Sequence, residues 1–354
     1  MDHRPVLRAG LASAASWLRP SPAPVTAPAG VDAASAMATA RAACAAWRPD
    51  APLHVVLNAA SGHGDTDERI AALREVMGTQ GRAHELLMVR RPAELRRTAQ
   101  AAVQAALRSG GAVVAAGGDG TINTVAQAVL EGGGVLGVLP QGTFNFFGRA
   151  HGIPTEPRPA TEQLAAARPQ PLQVGLLNGR LFLVNASLGL YPRLLEDREA
   201  FKAQYGRRRA VALLAGLVTL MREHGDWELE LQAEGEAPRM VRSSTLFVGN
   251  NRLQLERVGL DEAPALDEGR LVALRLRPVG SAELLGLLWR GAIGQLGDAP
   301  SVDSFAFRRL VVRRIGRRAA TVKVALDGEI ERMRLPLTFS AAPAALPVLL
   351  PPAA

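Results

Sequence analysis

The residues best suited to chemistry are Gly117-Gly118-Asp119-Gly120-Thr121, set between an apolar run, Ala112–Ala116, and an amphipathic stretch, 121–130. Glycines let a backbone turn tightly and approach a ligand with no Cβ in the way. The free amides at the start of the following helix can receive phosphate oxygens. Asp119 adds a carboxylate at the same mouth, where it could act through a magnesium ion. Thr121 and Asn123 add polar groups near the helix start. The competing reading is a tight turn capped by Asp119 or Thr121. The loop is not the dinucleotide fingerprint, because Gly118 and Gly120 are followed by Asn123, and it is not a P-loop, because no Gly-Lys-Ser/Thr follows.

A second loop, Pro140-Gln141-Gly142-Thr143-Phe144-Asn145, follows the next apolar run, Val135–Leu139. Adjacent loops at the carboxyl ends of parallel strands face one crevice. Gly142 and Thr143 are therefore expected to approach the same ligand as Gly118 and Asp119. An independent turn is the alternative.

These loops need a scaffold that brings them together. From residue 53 the chain alternates strand and helix. Strands are expected at Leu53–Leu57, Glu85–Val89, Ala112–Ala116 and Val135–Leu139, and helices near 66–77, 93–107 and 121–130. That order implies a parallel sheet covered on both faces. After about residue 157 short strands dominate: Leu172–Leu177, Arg180–Asn185, Trp227–Gln232, Ser244–Val248, Leu271–Leu276, Leu310–Arg314 and Thr321–Leu326. Helical stretches near 208–222 and 281–296 interrupt them. This half reads as an antiparallel sandwich or barrel-like domain. Residues 1–50 hold sixteen alanines and a proline cluster, and read as a poorly ordered extension or a loosely docked helix over 33–47.

Composition narrows the chemistry. With 48% hydrophobic and 21% charged residues, the 354-residue chain is a folded protein of one large domain or two. The single cysteine, Cys44, excludes an intramolecular disulfide and a cysteine-rich zinc site. The histidines lack metal-ligand spacing and read as surface or loop residues. The formal charge of +8 favours anionic partners, yet 4% aromatic content and the lack of an extended basic tract argue against a nucleic-acid enzyme. No apolar run is long enough to cross a membrane.

The chain resembles the diacylglycerol kinase catalytic-domain family, which includes bacterial lipid kinases and sphingosine kinases. The resemblance covers roughly residues 52–351. It rests on Asn58-Ala59-Ala60-Ser61-Gly62, on Gly117–Thr121, and on Pro140–Asn145. Phe247-Val248-Gly249-Asn250-Asn251, Asp327-Gly328-Glu329 and the closing run Leu335–Pro351 extend it. It implies an α/β fold of the NAD kinase/diacylglycerol kinase type, with a parallel-sheet nucleotide domain at 51–157 and a β-rich, lipid-binding sandwich domain at 158–339. The segment 340–351 is expected to return to the first domain.

The implied activity is transfer of the γ-phosphoryl group of ATP to a lipid hydroxyl, that of diacylglycerol or a related lipid alcohol, with Mg2+. The resemblance gives the phosphate cradle to Gly117, Gly118, Asp119, Gly120 and Thr121. It gives further nucleotide contacts to Asn58, Ser61, Gly62, Asn123, Gly142 and Thr143. Glu329 is the expected base, although Asp327-Gly328 read alone is a hairpin turn. Two positions depart from the family pattern. Phe146 stands where a carboxylate is common, in the run Asn145-Phe146-Phe147-Gly148-Arg149, so Asn145, Phe146 and Arg149 are assigned to the acceptor side. Glu268 stands at a structural magnesium position usually held by aspartate.

The lipid acceptor implies a cytoplasmic enzyme touching the inner membrane surface peripherally. Arg207-Arg208-Arg209 with the apolar 210–221 stretch, and 284–296 with Trp289 and Arg290, are the candidate contacts. Packing of both helices on the sandwich is the alternative. An NAD kinase-like enzyme and a catalytically silent nucleotide or lipid sensor are the competing functions. The oligomeric state is left open.

Overall fold

The computed structural model describes residues 33–59, 66–141, 145–189, 226–280, 294–316 and 321–351, with Glu283, Gly286, Leu287, Trp289 and Arg290. Ser61, Gly62, Gly142, Thr143, the arginines 207–209 and the 210–221 stretch lie outside the described residues.

Strands β1 (Leu53–Asn58), β2 (His84–Val89), β3 (Ala112–Gly117) and β4 (Leu136–Pro140) form a parallel sheet in the order β2-β1-β3-β4. Side chains alternate between its faces. Leu53, Val55 and Leu57 join a core with Leu73 and Met77 of helix α2 (Thr66–Thr79). Val56, Val113 and Ala115 face the other way. There they meet Ala99 and Val103 of α3 (Leu95–Ser109), and Ile122, Val125 and Val129 of α4 (Asp119–Gly132). The helical spacing of those last three residues therefore buries one stripe against the sheet.

In the amino-terminal segment the described residues 33–46 are helical. Helix α1 (Ala33–Ala46) packs on the sheet with Ala36 and Ala40 fully covered. Small alanine side chains let the helix lie close. His54 is a correction: it is buried, with Nδ1 3.0 Å from Glu85 Oε2 and Nε2 3.1 Å from Ser109 Oγ. A buried imidazole requires polar partners, and these two strap β1 to β2 and α3.

Beyond the short helices α5 (Phe146–Ala150) and α6 (Pro157–Ala166), the chain turns to antiparallel pairing. One sheet continues the parallel strands through β5 (Arg168–Leu177), β6 (Arg180–Phe182), β8 (Trp227–Ala233), β9 (Arg239–Ser243), β13 (Arg309–Arg314) and β16 (Leu337–Leu350). The second sheet has the order β12-β11-β10-β7-β14-β15. Its strands are β7 (Asn185–Gly189), β10 (Thr245–Gly249), β11 (Leu271–Leu276), β12 (Val302–Phe307), β14 (Thr321–Leu326) and β15 (Glu329–Arg334). Phe182, Leu188, Leu246, Val312, Val324 and Phe339 fill the space between the two sheets. This is the α/β architecture with a sandwich half that the sequence implied.

Strand β16 joins the two halves. Its start pairs antiparallel with β13 and β5, and Val348 pairs parallel with Leu136 of β4. The register against β5 shifts between Ala342 and Leu346, and Ala344 there has φ of 52°.

Candidate active site

Strand β3 ends at Gly117 and α4 begins at Asp119, with Gly118 in extended conformation between them. Gly117 has no alternative: a Cβ there would sit 2.5 Å from the Thr121 Cβ. Thr121 is itself buried, and its hydroxyl accepts from Asn58 Nδ2 at 2.9 Å. The Gln141 N–H donates to the Gly117 carbonyl at 2.8 Å, which draws the end of β4 against the loop. The two loops are thus neighbours at the carboxyl ends of adjacent strands.

Asp119 faces the start of α5. Burial pushes its carboxyl up from the ordinary aspartate range, while the backbone N–H groups of Phe147, Asn145 and Phe146 act the other way. Its Oδ1 is enclosed and has no protein partner. A divalent cation is a chemically suitable partner for such an oxygen, so the donor present fits the magnesium that the loop implied.

Glu329 opens β15, directly after the Asp327-Gly328 turn. Leu326 pairs with Glu329, and both intervening residues have positive φ, 47° and 90°. This two-residue connection matches the hairpin geometry that favours Asp-Gly. The hairpin delivers Glu329 to the glycine loop: its Oε1 lies 3.1 Å from where a Cβ on Gly120 would stand. The Glu329 side chain is exposed on this mouth.

The turn is held by Asp327, which the sequence left without a role. Its carboxylate accepts from the N–H groups of Leu183, Val184 and Asn185 at 2.7, 2.8 and 2.9 Å. It also accepts from Asn123 Nδ2 on α4 at 2.7 Å. Burial raises the Asp327 carboxyl, while these four donors favour its ionised form.

From Asn185 the bonds continue. Its Nδ2 donates to Gln254 Oε1 at 3.1 Å, and the Gln254 N–H donates to Asn251 Oδ1 at 3.0 Å, capping α7 (Arg252–Arg257). Asn251 Nδ2 then reaches the Phe146 carbonyl at 3.3 Å. The chain of contacts leaves the first half at α4 and returns to it at α5.

Asn58 and Asn123, expected at the nucleotide, donate through their side-chain amides to Thr121 and Asp327. Asn145 is buried in left-handed conformation at the start of α5, and Arg149 is exposed on that helix. The Phe146 ring is half-buried against the first-half core. Glu268 is exposed and pairs with Arg270 at 2.5 Å. Among the described residues no group of three His, Cys, Asp or Glu side chains gathers as a metal cluster. Of the candidate membrane contacts, Leu287 is buried with Leu274 and Val302, while Trp289 is 69% exposed. No helix among the described residues is long and apolar enough to cross a membrane.

Asp327 and Asn251 lay inside motifs already visible in the sequence. Asn185 and Gln254 carried no signal beyond their residue type.

Residues 52–177 match the family model of the diacylglycerol kinase catalytic domain. A Pseudomonas aeruginosa protein named "Probable lipid kinase YegS-like" is 32% identical over 310 residues, 85% of this chain and 95% of that protein. The diacylglycerol kinase of Bacillus subtilis is 42% identical over 100 residues, 27% of this chain and 33% of its own. A crystal structure of a diacylglycerol kinase from Bacillus anthracis superposes with a TM-score of 0.61 at 16% identity, covering 86% of this chain and 97% of that one, and shares the fold. The chain belongs to the diacylglycerol kinase catalytic-domain family, with bacterial lipid kinases among its relatives.

Proposed function

We propose that the protein is an ATP-dependent lipid kinase that moves the γ-phosphoryl group to the hydroxyl of a lipid alcohol, diacylglycerol or a close relative. The reading assigns the nucleotide to residues 51–157 and the lipid to 158–339, with acceptor and donor meeting at the mouth between Gly120 and Glu329. The observation that carries it is the approach of the Glu329 carboxylate to the glycine loop. A kinase of this kind needs a backbone cradle for phosphates and a carboxylate that takes or orients the acceptor proton.

In this reading the amides of Gly118, Asp119, Gly120 and Thr121 bind phosphate oxygens, helped by Ser61, Gly62, Gly142 and Thr143. Glu329 accepts the hydroxyl proton. Asp119 would hold Mg2+, which neutralises charge on the phosphates when bound. Asn145, Phe146 and Arg149 shape the acceptor side, where Phe146 makes the wall less polar than a carboxylate would.

A transfer assay with γ-labelled ATP against a panel of lipid alcohols, with product identification, tests the proposal. Labelled phospholipid from at least one lipid alcohol, absent with Asp119→Ala, is the expected result. Label transfer to NAD alone, or to no acceptor at all, would overturn it.

A further inference from the structure

At the opposite end of the parallel sheet lies a second basic cluster. Trp47 follows α1, and two guanidinium groups approach its ring, with Arg82 Cζ 5.9 Å and Arg168 Cζ 5.8 Å from its centroid. Arg82 is only 7% exposed. Its Nε donates to the Ala51 carbonyl at 3.2 Å, but its Nη2 is enclosed without a partner. The Trp47 Nε1 is also enclosed without a partner. Arg168 Nη1 donates to the carbonyls of Ala166 and Ala167 at 3.3 and 3.0 Å. Burial pulls the Arg82 pKa down and the Arg168 charge adds to that, while Asp50 opposes it.

Guanidinium and indole N–H groups can only donate. Two buried donors beside a pair of positive charges call for an acceptor, and a negatively charged oxygen suits them best. We propose that Trp47, Arg82 and Arg168 form an anion site that takes a tetrahedral oxyanion, inorganic phosphate or the phosphate of a monoester. Arg82 precedes β2 and Ala51 precedes β1. The cluster is therefore separated from the 117–121 loop by the length of a strand, about 20 Å for six residues. It is distinct from the nucleotide mouth and does not depend on the reading given to that mouth. Trp47 is half-buried and both donors are enclosed, so an anion reaches them only with a small displacement of the indole.

That displacement makes Trp47 the reporter. The protein is titrated with inorganic phosphate, and with chloride at matched ionic strength, while tryptophan emission is followed. A third arm uses vesicles of phosphatidylcholine with and without phosphatidic acid. The expected result is a saturable change with phosphate, absent with chloride and absent in Trp47→Phe. Arg168→Gln should weaken it about tenfold, the loss of one charge-assisted contact. Arg168 is exposed, so this variant leaves the fold intact, whereas Arg82→Gln would disturb a buried position. A response confined to phosphatidic acid vesicles, with the same dependence on Arg168, would support the site and assign its ligand to lipid headgroups. Equal responses to phosphate and chloride, no response in any arm, or an unchanged curve in Arg168→Gln would overturn the proposal and leave a buried water as the partner of both donors.

Discussion

Asn123 on α4 donates a 2.7 Å hydrogen bond to Asp327, 204 residues further along the chain. This bond ties the helix that starts at the glycine loop to the hairpin that carries Glu329. Removing one donor from an enclosed carboxylate leaves part of its charge unsatisfied. Asn123→Ala should therefore lower stability by about 1.5–3 kcal/mol. Urea unfolding measures this, and a shift below about 0.5 kcal/mol would show that the bond is dispensable. If the hairpin positions Glu329, kcat should also fall while the KM for ATP holds.

Glu329→Gln keeps the size of the side chain and removes its charge. Phosphoryl transfer should fall by roughly 10²–10⁴-fold, the usual scale for a positioned general base. Nucleotide affinity should hardly change. Altered ATP affinity with normal turnover would make Glu329 a nucleotide or metal contact instead. Gly120→Ala tests the same approach from the other side, since its Cβ would crowd the Glu329 carboxylate and turnover should drop.

Phe146→Asp restores the carboxylate common in the family. The ratio of turnover between lipid acceptors should move more than the KM for ATP. An unchanged ratio would remove Phe146 from acceptor selection.

The His151 ring packs tilted against Phe147, with centroids 4.6 Å apart, and burial holds its pKa down to about 4. Between about pH 4 and 6.5 the unfolded chain binds the proton that the folded one refuses. Stability should therefore decline as pH falls through that window, by up to about 3 kcal/mol, and level off below it. His151→Leu should flatten the slope. Denaturation midpoints at pH 4.5 and 7.0 for both proteins decide the matter; parallel slopes would clear His151.

What could be read without coordinates follows from how local each feature is. The glycine loop, the α4 stripe and the Asp-Gly turn are contiguous, and each is dictated by backbone geometry or helical period. The clamp formed by Asp327 was hidden because its partners at Asn123 and Leu183–Asn185 are distant in the chain. The bond between Asn58 and Thr121 was hidden in the same way, because the two are 63 residues apart. Strand β16 was obscured by Pro343 and Pro347 and by the register shift between Ala342 and Leu346. Strands β9 and β15 were obscured by exposed arginines and glutamates that blur alternation. Helix α1 offered alanines, which distinguish poorly between a covered face and an open one.

The placement of β16 also orders events during synthesis. Its opening residues pair with β13, Val348 near its end pairs with β4, and β5 pairs with it on both sides of the register shift. Until the ribosome has delivered residues 337–350, the first half carries a bare β4 edge near the 117–121 loop. Unpaired strand edges are where nascent chains join one another. The late strand is thus a seal, and the nascent protein is most vulnerable to aggregation just before it is added.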